Sequence, residues 1–89
     1  MPPTYLRHPD LRLTPLGDEG VALHVGARRY FTINQTGLTL LQALESPTSF
    51  EELVNRILGE YDVSREEAER TTREFVDRCL EAKLVECRE

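Results

Sequence analysis

The sequence predicts an α+β domain: a three-stranded antiparallel sheet followed by three helices. Three observations carry this. The stretch Arg29-Tyr30-Phe31-Thr32-Ile33-Asn34-Gln35-Thr36-Gly37 changes period, from aromatic and β-branched alternation to a capped apolar stripe. Before it, short alternating runs are separated by Pro and Gly. After it, two Ser-x-x-Glu signals each open a helical pattern.

Residues 1–10 hold Pro2, Pro3 and Pro9, which disfavour helix, and read as an N-terminal extended segment. Leu11-Arg12-Leu13-Thr14 alternates as a first strand. Pro15 and Gly17-Asp18-Glu19-Gly20 mark a turn. Val21-Ala22-Leu23-His24-Val25 is the second strand, with Val21, Leu23 and Val25 expected on the core face and His24 facing solvent. Gly26-Ala27-Arg28 links it, as a hairpin, to a third strand over 29–33.

The first helix spans 36–45, with Asn34 or Thr36 as its cap and Leu38, Leu41 and Leu44 at helical spacing. Pro47 ends it. Ser49 and Glu52 form a capping box for the second helix, whose apolar face is Phe50, Leu53, Val54, Ile57, Leu58 and Tyr61. Ser64 and Glu67 repeat the device for the third and longest helix, which runs to Ala82. Leu84 and Val85 follow as a short extended tail.

The third helix carries a wide apolar arc. Thr72, Phe75, Val76, Cys79 and Leu80 span about 140° at 100° per residue, more than the ~100° that one core face needs. Phe75 and Cys79 fit the centre and one flank; Val76 and Leu80 sit on the other, beside Arg73 and Asp77. Two readings stay open: a generous core stripe, or a groove lined by Val76 and Leu80 with polar rims. The acids of this helix precede bases at i,i+4 in Glu66–Arg70, Glu69–Arg73 and Glu74–Arg78, a solvated face.

Composition narrows the function classes. A chain of 89 residues builds one small domain with a thin core. The net charge of −5 and the mixed charges of the third helix argue against nucleic acid. Arg7, Arg12, Arg28 and Arg29 give the sheet half a mildly basic balance, whereas residues 34–63 are acidic. Cys79 and Cys87 have no metal-ligand spacing and read as reduced thiols. No run matches a membrane span or a signal peptide, so a cytoplasmic protein is expected. Glycine-rich phosphate loops, Cys-x-x-Cys and His-Glu-x-x-His are absent, and neither His8 nor His24 stands in a catalytic pattern. No catalytic residue, cofactor or metal is expected; function lies in binding.

The order of the pieces resembles the PqqD-like family, the recognition elements that bind precursor peptides of ribosomally made, post-translationally modified peptides (RiPP recognition elements). The carrying pieces are Ile33-Asn34-x-Thr36-Gly37 after three short strands, Phe50-Glu51-Glu52-Leu53-Val54 opening the second helix, the Tyr61-Asp62-Val63 turn, and Leu80-x-x-x-Leu84-Val85 at the end. The similarity covers residues 11–86, leaving 87–89 as a C-terminal tail. It implies a winged-helix-like fold that takes the leader segment of a precursor peptide as an added strand on the third strand, with leader side chains in a groove against the third helix. The peptide-binding residues so implied are Arg28, Arg29, Tyr30, Phe31, Thr32 and Ile33 on the strand, and Thr72, Arg73, Val76, Asp77, Cys79 and Leu80 on the helix. A chain of this length looks most like the leader-binding partner in lasso-peptide biosynthesis, a monomeric adaptor that presents the precursor to a cysteine-protease-type leader peptidase and a cyclase. The alternatives are a PqqD-type peptide chaperone working with a radical enzyme, a winged-helix DNA-binding regulator, and a small dimer using the same sheet edge.

Overall fold

A computed structural model describes residues 2–88. Met1 of the N-terminal segment and Glu89 of the C-terminal tail lie outside the described residues. The elements run β1 (Thr4–Arg7), β2 (Leu11–Leu16), β3 (Glu19–His24), β4 (Arg29–Ile33), α1 (Gln35–Ala43), β5 (Thr48–Ser49), α2 (Phe50–Glu60), α3 (Arg65–Glu81) and β6 (Val85–Arg88). The α+β class and the sheet-then-helices order stand as the sequence predicts. The three expected strands are β2, β3 and β4, antiparallel in the order β2-β3-β4.

A second sheet, β5-β1-β6, was not legible in the sequence. Its strands are short, and each contributes little alternation. β1 lies in the segment expected to be only extended, and pairs with β6 from Thr4–Arg88 to Arg7–Val85. Tyr5 of β1 and Val85 of β6 are buried in the core, so this strand pair is tied into the fold.

The β2–β3 hairpin turns on Gly17-Asp18. Gly17 has φ +67°, the left-handed value that the first central position of a type II′ turn requires. Pro15 lies inside β2, where its missing N–H is tolerated because β2 is an edge strand.

The phase of β3 is the reverse of the expectation. Gly20, Ala22 and His24 face the core, while Val21 and Leu23 are half-exposed and Val25 is 48% exposed. The cause is close packing of α1. A Cβ on Gly20 would stand 2.9 Å from Leu38 Cδ1 and 3.2 Å from the Thr14 carbonyl oxygen, so only small residues fit inward there. His24, expected at the surface, is buried. Its Nδ1 accepts the Ala27 N–H at 3.1 Å, and its ring stands 4.6 Å from that of His8, whose Nδ1 accepts the Asp10 N–H at 3.0 Å. Both histidines hold turns together.

The helix starts follow the capping chemistry. Asn34 Oδ1 accepts the Gly37 N–H at 2.8 Å. Ser49 and Glu52 form the full reciprocal box, and the bonds from Ser49 hold the Glu52 carboxyl below its ordinary pKa. The second box is only half made. Ser64 Oγ accepts the Glu67 N–H at 3.1 Å, but the Glu67 carboxylate stands 3.9 Å from Arg70. Among the described residues the ion pairs on α3 are Arg70–Glu67 and Arg73–Asp77, not the three expected pairs. α3 ends in a Schellman motif: Leu84 N–H bonds the Cys79 carbonyl at 2.9 Å, Lys83 N–H bonds that of Leu80 at 3.2 Å, and Lys83 takes the left-handed position at φ +64°. This reversal turns Leu84 and Val85 back into the core.

The core lies between the helices and the inner face of the β2-β3-β4 sheet. Leu40, Leu41, Leu44, Leu53, Val54 and Val76 are its largest fully buried side chains, with Thr72 among them. Thr72 Oγ1 is buried with no hydrogen-bond partner. An unpaired buried hydroxyl costs about 1–3 kcal/mol, and valine has nearly the same shape. Thr72→Val should therefore raise the urea midpoint of unfolding by the equivalent of about 1 kcal/mol or more.

Candidate functional site

The site is built on β4, whose outer side is an open sheet edge. The pairing pattern fixes which of its backbone groups are free. Pro15 has no N–H to give, so its pair with Gly20 is a non-hydrogen-bonded one. The bonded pairs of β2 and β3 are then Thr14–Val21 and Arg12–Leu23. Alternation along β3 sends the N–H and C=O groups of Gly20, Ala22 and His24 the other way, to Ile33, Phe31 and Arg29 of β4. Tyr30 and Thr32 consequently aim their backbone groups away from the sheet, unpaired.

Beneath this edge, β4 and α3 enclose a groove of about 440 Å³. Phe31, Thr32 and Ile33 form one wall, and Phe75, Cys79 and Ala82 of α3 the other, with Leu84 also lining it. Asn34, Glu19 and Arg78 add polar groups, one acid and one base among them. The Arg29 guanidinium lies 5.2 Å from the centre of the Phe31 ring. Burial pushes the Cys79 thiol up to about 12, so it serves as an apolar wall atom rather than a nucleophile.

Of the residues expected to bind, the structure brings Phe31, Thr32, Ile33 and Cys79 together here, with Arg29 beside them and Tyr30 on the edge backbone. Tyr30 itself is 75% exposed on the opposite sheet face, where Arg28, Leu23 and Val25 share a shallow patch with it. The helical residues need correction. Val76 and Thr72 are fully buried core. Arg73 stacks over the Phe50 ring at 4.2 Å and pairs with Asp77 at 3.9 Å, on the α2 side of the helix. Leu80 is half-buried and does not line the groove.

The flank that faces β4 is that of Phe75, Arg78 and Ala82, so Phe75, expected with Cys79 at the centre and one flank of the arc, stands in the groove wall. The core stripe of α3 is Ala68, Thr72, Val76 and Cys79. One signal was available: at 100° per residue Ala82 falls about 20° beyond Phe75 and carries the apolar arc past it, toward the flank that faces β4.

The profile of the family described as Coenzyme PQQ synthesis protein D (PqqD) matches residues 19–85. The chain belongs to the PqqD family. All the groove-lining residues, from Glu19 to Leu84, fall inside the PqqD match, whereas β1 and β2 lie outside it. Among solved structures, TbiB1 in complex with the TbiA(beta) leader peptide is 30% identical, with a TM-score of 0.83 over 91% of this chain and 94% of that one. Lasso peptide synthetase B1 complexed with the leader peptide is 22% identical, with a TM-score of 0.78 over 92% and 96%, and shares the fold. No curated protein matches the chain.

The backbone pattern gives a parity test. Proline removes an N–H, which β4 uses at Phe31 but not at Tyr30 or Thr32. Tyr30→Pro and Thr32→Pro should keep the far-ultraviolet dichroism of the native fold. Phe31→Pro should lose it, while Phe31→Ala, which keeps the N–H, should remain folded.

Proposed function

We propose that this protein binds the leader segment of a ribosomally made precursor peptide, as a non-catalytic adaptor in lasso-peptide biosynthesis. The observation that carries the reading is the coincidence of an unpaired edge on β4 with an apolar groove directly beneath it. The family membership and the 30% identity to TbiB1, a protein seen with a leader peptide, support it.

The leader adds as an antiparallel strand beside β4. It pairs its backbone with the free groups of Tyr30 and Thr32, each net bond contributing about 0.5–1.5 kcal/mol. Leader residues opposite Phe31 and Ile33 turn their side chains to the inner sheet face and enter the groove. One large apolar anchor buried there contributes roughly 1.5–3 kcal/mol. Main-chain bonds thus give affinity to many sequences, and the groove chooses among them. An affinity in the micromolar range or tighter follows for a peptide that makes both sets of contacts, after ordering costs.

Charge fits this reading better than DNA binding. The net charge is −5, and Arg78 and Glu19 offer the groove one group of each sign. A cysteine-protease-type leader peptidase and a cyclase would be the enzymes served, in the cytoplasm. No helix among the described residues is long and apolar enough to cross a membrane. A PqqD-type role beside a radical enzyme is the second reading, favoured by the family's own description. The identity to TbiB1 across most of the chain favours the first.

Fluorescence anisotropy with labelled synthetic leaders tests the proposal. The probes are the TbiA(beta) leader and the leader of a precursor encoded beside this chain, each with a scrambled control. Saturable binding of at least one, absent for its scramble, is expected. Ala82→Asp should weaken it by about tenfold or more, because a charge would enter the apolar wall, whereas Leu80→Asp should change it by less than about threefold. Failure of both leaders to bind overturns the function; equal losses in the two variants overturn the groove.

A further inference from the structure

Gly37 is half of the Thr36-Gly37 pair that follows the edge strand, and the strand-addition mechanism gives it no task. Its conformation does not require glycine. Among the described glycines only Gly17 has a positive φ, and Gly37 sits within the first turn of α1. Glycine weakens a helix relative to alanine, so local propensity argues against it here. Space is what demands it. A Cβ at Gly37 would stand 2.7 Å from Phe75 Cε1, 2.9 Å from Ile33 Cγ2 and 3.2 Å from Asn34 Oδ1. All three contacts belong to residues that line the groove, Ile33 from the β4 wall and Phe75 from the α3 wall. Gly37 therefore stands behind both walls where they converge.

We propose that Gly37 is a positioning residue that sets the depth of the groove: its missing side chain is the space into which the Phe75 ring withdraws. This rests on the leader-binding reading for its functional consequence. A methyl group at 37 must displace something, since carbon contacts settle near 3.5–4.0 Å. Ile33 is buried and held by its pairing with Gly20, and Asn34 is held by its bond to the Gly37 N–H. Phe75 is half-buried with the open groove beyond it. The ring yields, moving roughly 1 Å into the space meant for a leader side chain. Leader selection by anchor size is thus written in part at a position that no leader touches.

The test compares Gly37→Ala, Phe75→Leu and the double variant with the wild type. Two measurements are made: ring-to-methyl nuclear Overhauser effects from Phe75, and anisotropy titration with whichever labelled leader binds the wild type. Gly37→Ala should bring the Phe75 ring closer to the Ala82 and Leu84 methyl groups and weaken the leader by about tenfold. In the Phe75→Leu background the same glycine substitution should cost little affinity, because the contact with the ring is gone and only the Ile33 contact, common to both backgrounds, remains. Val54→Ala, a core truncation in α2, is the control: it lowers the midpoint but leaves affinity per folded molecule unchanged. An unmoved ring, unchanged affinity, or equal loss with and without Phe75 overturns the proposal. If Gly37→Ala alone does not fold, the double variant decides: restored folding supports the clash at Phe75, and failure to fold overturns it. If the wild type binds neither leader, the functional reading fails, and the ring displacement still decides whether Gly37 sets the groove.

Discussion

Asn34 accepts the Gly37 N–H at 2.8 Å, and this bond fixes the point at which sheet becomes helix. Much of the site follows from it. The cap ends β4 immediately after Ile33 and sets the direction in which α1 leaves. α1 then packs closely enough on the sheet that Leu38 excludes any side chain from Gly20. The same turn places Gly37 against Phe75, and so brings α3 to the distance from β4 at which the two walls leave a groove instead of a sealed core. The helix end completes the arrangement: the Schellman reversal at Lys83 carries Leu84 to the groove and hands the chain to β6.

A second constraint acts through the backbone alone. Pro15 lies two strands from the open edge, yet its missing N–H sets the pairing parity across the whole sheet. That parity leaves Tyr30 and Thr32, rather than Phe31 and Ile33, with free backbone groups. Phe31 and Ile33 are the residues whose side chains face inward. The edge therefore divides its tasks: one pair of residues offers backbone hydrogen bonds, and the other pair turns its side chains inward to the groove. A peptide strand docked there would be held by its main chain and read by its alternate side chains.

Most of this architecture was legible where local chemistry and tertiary packing agree. The period change at Ile33-Asn34, the Ser49–Glu52 box and the leucines of α1 stand as read. The errors of facing, on β3 and α3, share one cause: small residues. Gly20 and Ala22 carry little apolar signal, so the alternation points to the larger Val21 and Leu23 as the core face of β3. On α3 the small Ala82 likewise gives little signal, so the flank that faces β4 does not stand out from the wide arc and the groove reading falls on Val76 and Leu80 instead. Close packing makes small residues decisive, and hydrophobicity patterns underweight them. β1, β5 and β6 were missed because strands this short exist only through their partners.

The central claim is that a leader strand pairs with β4 through two particular residues, and amide hydrogen exchange tests it residue by residue. With saturating leader, the Tyr30 and Thr32 amides should change from fast to slow exchange. Phe31 and Ile33, already bonded to β3, should change far less. Protection arising at Phe31 and Ile33 alone, or on the outer edge of β2, or nowhere in β4, would contradict the account.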